Sequence, residues 1–436
     1  MTPGPKSGTP RAPLNFLGLA CAIGVSTIYF NQPLLVDMGK TYGAPAGHVM
    51  FVSGATQVGY AVGLLLFVPL GDVLERRSLM MRMYAAVVVA LLMVSMAPTL
   101  AWLIAGSVVL GMVASVTHIV LPIAPDLVSD SKRGRAIGTV MMGLLLGILL
   151  ARTFAGWVSK IPLLFAHAPR LFPAGALWVT DGWRYVFVIA ALMNACFLVV
   201  LGRRMPKLPP KQELGYGDAM RSLWTLWRTQ PLLRESSLIG ALVFASFSCF
   251  WTTLAYLLSS HYGLGAGVAG SFGLVGAAGA LVAPIGGKWA DKRGTRWVLT
   301  AGITTLASSY ALLWVSERSG APFGVHIALL LVGVILLDIG AQLTQVGNQT
   351  RIFGLVPSAR SRLNTVYMTV YFAGAAVGSA LSTVAWERWK WNGVATMALG
   401  LIALAGLRHA LGSRAPETFS PESRSEHAAI ETVLEV

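Results

Sequence analysis

Asp338, Gln342, Gln345 and Gln349 follow one another at spacings of four, three and four residues inside an otherwise apolar run. At 3.6 residues per turn they share one helix face. A single carboxylic acid among amides suits proton exchange and hydrogen bonding to a solute, and it lacks the partner groups that bond-breaking needs. Asp338 lies about 21 Å along its helix from Gly324, near the middle of a bilayer-spanning segment. It is therefore a candidate proton-coupling group, with a structural Asp hydrogen-bonded to neighbouring helices as the alternative. Arg152 is the one Lys or Arg deep within an apolar run. A guanidinium there must be paired, solvated or able to snorkel. Either it neutralises an anionic substrate, or it holds a gate by bonding carbonyls and polar side chains. His118 is a second candidate for proton movement, against the reading of an ordinary hydrogen-bonded helical His. Asn31, Gln32, Trp251 and Tyr256 join Gln342 and Gln345 as candidate substrate contacts.

These side chains sit in a chain of 436 residues with 55% hydrophobic and only 12% charged residues. A soluble domain carries about twice that charge fraction, so the expected fold is an all-α membrane protein. Hydropathy gives twelve spans in two groups of six: an N-terminal bundle over 14–201, a basic central loop over 202–235, a C-terminal bundle over 236–411 and a polar, disordered tail over 412–436. Asn31 belongs to span 1, His118 to span 4, Arg152 to span 5, Trp251 and Tyr256 to span 7, and Asp338 to span 10. With both termini on the cytoplasmic side, 25 of the 33 Lys and Arg fall in cytoplasmic segments and 7 in the outer loops. That bias sets the orientation and also accounts for the net charge of +15 without nucleic acid. The apolar stretch over 160–182 is expected at the outer interface, with an outer lid as the alternative. Cys21, Cys196 and Cys249 lie in separate runs and read as packing residues rather than disulfide or metal ligands.

A charged turn occurs twice, half a chain apart. The first copy holds Gly71, Asp72, Glu75, Arg76 and Arg77; the second holds Gly287, Asp291, Lys292, Gly294 and Arg296. The paired turns, the six-plus-six layout and the basic central loop resemble the major facilitator superfamily of secondary transporters over roughly 14–411. The second copy matches that family's turn between helices 2 and 3; in the first, Ser78 replaces a Gly and Met80 a basic residue. Tyr29 to Leu35, Gly147 to Thr153 and Ala359 to Met368 are similar to a bacterial efflux branch. Two departures stand out. Ser107 occupies the helix 4 position where drug–proton antiporters carry an Arg, so that residue's role does not transfer. Helix 5 keeps small residues at Gly143, Gly147, Ala151, Ala155 and Gly156 without the family's Pro. Small residues every fourth position still let two helices approach closely.

The resemblance implies two pseudo-symmetric six-helix bundles, with helices 1, 4, 7 and 10 lining a central path. The polar stripes on those same four helices point the same way, because polar groups in lipid must face protein or water. The resemblance also implies a gating latch at the charged turns, with Asp72 against the N-terminus of helix 11. The expected function is alternating-access transport of a small organic molecule coupled to protons, as efflux, from a monomer in the bacterial inner membrane. Import by symport or facilitation is the near alternative, and a transport-dead sensor or scaffold the alternative of another class. No Gly-x-x-x-x-Gly-Lys-Ser/Thr phosphate loop occurs, and no paired carboxylate, nucleophile–base pair or metal cluster stands at useful spacing. Neither an enzyme nor a cofactor is expected.

Overall fold

The structure is a computed structural model describing residues 14–128, 133–161, 181–209, 215–317, 322–356 and 359–412. The described residues form helices and turns, with no strand among them. Most of the stretch over 160–182 and the tail after Gly412 lie outside the described residues.

Among the described residues, twelve helices of the membrane domain run in sequence. The N-terminal six are α1 (Leu14–Ser26), α2 (Ala46–Phe67), α3 (Arg76–Ser95), α4 (Leu100–Ala114), α5 (Arg133–Val158) and α6 (Gly182–Arg204). The next four are α7 (Pro231–Tyr262), α8 (Ala266–Val275, continued by Ala277–Arg293), α9 (Thr295–Ser316) and α10 (Phe323–Phe353). The helical stretch Arg360–Leu411 is two helices, α11 and α12, broken at Lys390, whose φ of 51° is the one positive value on a described non-glycine residue. An amphipathic helix, Tyr216–Thr229, sits in the central loop before α7 and buries Leu223 and Leu226. The ends carrying the 2–3, 6–7 and 8–9 connections are here called the basic face.

Several spans that hydropathy reads as continuous are interrupted, and the cause is local. In α1, Ser26 and Thr27 hydroxyls donate back to the carbonyls of Ile23 and Gly24, a habit that bends helices. Pro33 then removes a backbone donor. The chain passes through a tight 3₁₀ turn at Gln32–Leu34 and resumes as Leu35–Tyr42. α4 breaks at Ser115, whose hydroxyl bonds the Met112 carbonyl at 2.7 Å, and continues as Val116–Val120. α8 breaks at Gly276.

Glycine sets the helix spacing, and it does so with the same pattern in both halves. A methyl added at Gly143 or Gly147 of α5 would meet the carbonyl oxygens of Gly18 and Ala22 of α1 at 2.1 and 2.4 Å. One added at Gly374 or Gly378 of α11 would meet those of Ala241 and Ala245 of α7 at 2.3 and 2.1 Å. α1 with α5 therefore corresponds to α7 with α11. Gly59 of α2 against the Val108 carbonyl of α4 corresponds likewise to Gly279 of α8 against the Asp338 carbonyl of α10. Two pseudo-symmetric bundles result, each drawn together at these glycines by backbone-to-backbone approach.

The halves meet along α2 with α11 and α5 with α8. Away from the basic face the seam is closed by polar contacts. Thr153 donates to the Gly270 carbonyl at 3.0 Å, Trp157 to Ser271 at 3.1 Å and Tyr256 to the Leu35 carbonyl at 3.2 Å. Thr252 bridges Ser379 at 2.8 Å and Ser53 at 3.4 Å.

Candidate functional site

Arg152 is 3% exposed and its guanidinium is caged. Its Cζ lies over the Trp251 ring, 3.8 Å from the centroid, and over the Tyr29 ring, 4.7 Å from the centroid. One in-plane edge is taken, because Nε donates to Gln32 Oε1 at 2.7 Å. Nη2 has no partner, and neither does the indole Nε1 of Trp251, itself 2% exposed. The unwinding of α1 at Pro33 is what turns Gln32 toward α5. Three residues proposed separately from sequence, Gln32, Arg152 and Trp251, are thus in direct contact, with Tyr29 as a fourth wall.

Asp338 and Arg152 lie beside the same glycine-lined stretch of α8. A methyl at Gly273 would meet Arg152 Cβ at 3.0 Å, and one at Gly276 would meet Asp338 Oδ2 at 3.0 Å. The acid and the base therefore flank one short segment of α8, just where that helix breaks. Their charges act on one another, and Asp338 also acts on Tyr29 and on Tyr371 of α11. No ion pair forms between them, and Asp338 Oδ2 is buried with no hydrogen-bond partner. An unpartnered carboxylate oxygen beside an unpartnered guanidinium nitrogen is an expensive arrangement in a low-dielectric interior. Nothing in hydropathy or residue spacing flagged the α8 glycines as its centre.

Gln342 and Gln345 are partly exposed along the same α10 face, and Gln349 bonds Asn364 of α11 at 3.2 Å. Asn31 turns away from Arg152. It donates to Thr56 Oγ1 at 2.8 Å and to the Val52 carbonyl, joining α1 to α2. Tyr256 touches the α1 extension rather than the arginine cage. His118 is nearly buried, edge-on to Tyr60, and faces the basic-face turn beside Gly71, Asp72, Arg76 and Ser361.

The first charged turn is fully engaged. Glu75 caps α3, accepting from the backbone N–H groups of Arg77 at 3.0 Å and Ser78 at 2.8 Å, and from that of Leu208 after α6 at 2.8 Å. Burial works to raise its pKa, but these three backbone donors outweigh it and hold the carboxyl below its usual range. Arg76 pairs with Asp72 at 3.4 Å and donates to the Gly71 carbonyl at 2.8 Å, while Arg77 reaches the Gly202 carbonyl at 2.5 Å. Asp72 shares a small crevice with Ser361, and its charge acts on Arg362, both at the start of α11. The second turn is looser. Arg296 bonds the carbonyls of His409 and Gly412, whereas Asp291 and Lys292 are exposed and Gly287 has open space around it.

One cluster on the basic face went unread in the sequence. Glu235 of α7, 3% exposed, pairs with Arg351 of α10 at 3.1 Å and Arg408 of α12 at 3.4 Å. Its signal was a lone acid at the entrance of a span, which loop boundaries drawn by hydropathy assign to solvent.

Comparison with known proteins agrees with this architecture. The family model described as Major Facilitator Superfamily matches residues 15–285 and 236–435. The uncharacterized transporter YgaY of Escherichia coli O157:H7 is 36% identical over 392 residues, covering 90% of this chain and 93% of its own. A protein of Pasteurella multocida named a probable sugar efflux transporter is 21% identical over 420 residues, covering 92% and 93%. Among solved structures, a bacterial homolog of the human lysosomal transporter Spinster, inward-facing and occupied, superposes with a TM-score of 0.72 at 15% identity, covering 95% of this chain and all of that one. The chain belongs to the Major Facilitator Superfamily: it is a multi-pass membrane transporter and not an enzyme.

Proposed function

We propose that the chain is a secondary active transporter that works by alternating access and couples export of a small organic molecule to protons. The observation that carries this reading is a pair of charged groups that form no ion pair, the buried Arg152 and Asp338 with its buried Oδ2, beside the break in α8 at the seam between the halves. A carboxylic acid without a compensating ion pair takes up and releases its proton according to which side admits water. The Asp72–Arg76 turn against α11 acts as the latch of the basic face, and the Thr252, Tyr256 and Thr153 contacts as that of the opposite face. Opening either side breaks one set, which gives solute and proton two states to bias. The positive-inside rule puts the basic face and both termini in the cytoplasm of a bacterial inner membrane. The sugar efflux relative supports export.

A second reading, in which proton and solute travel together inward, is favoured by the free donors on Arg152 and Trp251. They suit an anion, and an anion is held better beside Asp338 when that acid carries a proton. The test is flux in proteoliposomes under an imposed pH gradient, wild type against Asp338→Asn. Loss of gradient-driven flux in the folded variant supports coupling through Asp338, and undiminished flux refutes it. The gradient direction that drives accumulation separates export from co-transport.

A further inference from the structure

We propose that the buried Arg152 guanidinium and its cage recognise a small organic carboxylate. The proposal deepens the transport reading by naming a solute class, and it is tested by binding alone. The cage narrows the approach. The Trp251 and Tyr29 rings stand against the guanidinium, their centroids 3.8 and 4.7 Å from its carbon. Gln32 already occupies the Nε edge, leaving the Nη1–Nη2 end, where Nη2 is buried and unbonded. A flat group with two oxygens matches that end as a pair of parallel hydrogen bonds. Trp251, whose ring packs on the same guanidinium, carries a second buried donor without an acceptor, Nε1.

Both orphans are donors, so the missing group is an acceptor, and a buried guanidinium adds the demand for negative charge. One negative charge fits better than two. Asp338 lies within range of the same guanidinium and places a second acid near the site. Asp338 does not itself fill the gap, because it forms no ion pair with Arg152 and its Oδ2 has no hydrogen-bond partner.

The experiment is a calorimetric titration of the full chain in nanodiscs with three probes of one size: benzoate, neutral benzamide and dianionic phenyl phosphate. Each is taken to about ten millimolar, which detects a Kd near 1 mM. Benzoate should bind saturably, and the other two at least tenfold more weakly. Arg152→Gln should weaken benzoate by at least tenfold. Trp251→Phe, which keeps an aromatic face and deletes the N–H, should weaken it by several-fold, and this variant carries the test if Arg152→Gln does not fold. No benzoate binding to the wild type, equal binding of benzamide, tighter binding of phenyl phosphate, or unchanged affinity in both variants would each overturn the proposal. Saturable benzamide binding alongside gradient-driven flux would sink the carboxylate assignment and leave the transport reading intact.

Discussion

Gly156→Ala should tip the protein toward the state open away from the basic face. The added methyl would lie 2.4 Å from the Ala266 carbonyl oxygen and 3.1 Å from Gly270 Cα. Both obstacles are backbone, so no side chain can swing aside. Restoring ordinary contact needs α5 and α8 to part by about 1 Å, and overpacking of that kind costs about 1–3 kcal/mol. The cost falls on the conformation in which α5 and α8 touch and is relieved where they separate. The equilibrium should move by about five- to 150-fold. Parting the helices also strains the Thr153–Gly270 and Trp157–Ser271 hydrogen bonds, which adds to the same shift. The assay is maleimide labelling of Ser53→Cys in a Cys196→Ser background, since Cys196 is exposed while Cys21 and Cys249 are buried. Ser53 is 1% exposed, and its hydroxyl accepts from Thr252 across the seam. Labelling should accelerate in Gly156→Ala. The control is Gly374→Ala, whose methyl would meet the Ala241 carbonyl at 2.3 Å but inside one half. It should lower Tm without speeding labelling. Equal labelling rates in the two variants would refute the assignment of this contact to the closed seam.

Further outcomes follow from other parts of the molecule. Asp338→Asn should raise benzoate affinity several-fold by removing a like charge; weaker binding in titration calorimetry would mean that Asp338 positions Arg152 instead of competing for it. Arg152→Lys keeps the charge but loses the planar fork and the ring stacking, so benzoate affinity should fall toward that of Arg152→Gln; wild-type affinity would leave the geometry of the cage irrelevant. Glu235→Ala leaves Arg351 buried without its acid and should cost about 3–5 kcal/mol, read as a large drop in Tm; a drop smaller than that of Gly374→Ala would show the cluster to be dispensable. Glu75→Ala removes the α3 cap and should cost about 1 kcal/mol. Because the Glu75 carboxyl is held below its usual value in the fold, its contribution is complete above about pH 4.3 and is lost as pH falls through the lowered value. The Tm gap between wild type and variant should therefore close on acidification, and a gap that widens would contradict the capping role.

Much of the architecture was legible because the bilayer acts as a uniform solvent. Twelve apolar runs, split by a basic loop, leave little freedom once backbone groups must be satisfied inside each segment. The small residues of α5 announced close packing, and Gly143 and Gly147 against α1 and Gly156 against α8 supply it. Hydropathy averages over a span, however, and cannot see where a span is cut. Ser115 and Gly276 interrupt α4 and α8 at single residues and the stretch through Pro33 interrupts α1, and the α1 and α8 cuts shape the arginine site. Arg152 and Asp338 were each identifiable as costly charges, but their shared neighbour on α8 is glycine, which has no side chain to advertise a contact. Asn31 and Tyr256 looked equal to Gln32 on polarity, and only the direction of the α1 turn separates them. Glu235 was missed because its partners lie more than a hundred residues away in α10 and α12.

The break at Lys390 has a mechanical corollary. With only one residue out of helical geometry between α11 and α12, that corner has no spare chain to stretch or coil. A tilt imposed on α11 at the seam must be carried straight into α12, and through Trp391, whose indole bonds the Leu313 carbonyl, onward to α9. The outer ring of the C-terminal bundle is thereby geared to its inner wall, and a short flexible insert at that corner would let the wall slip while the ring stood still.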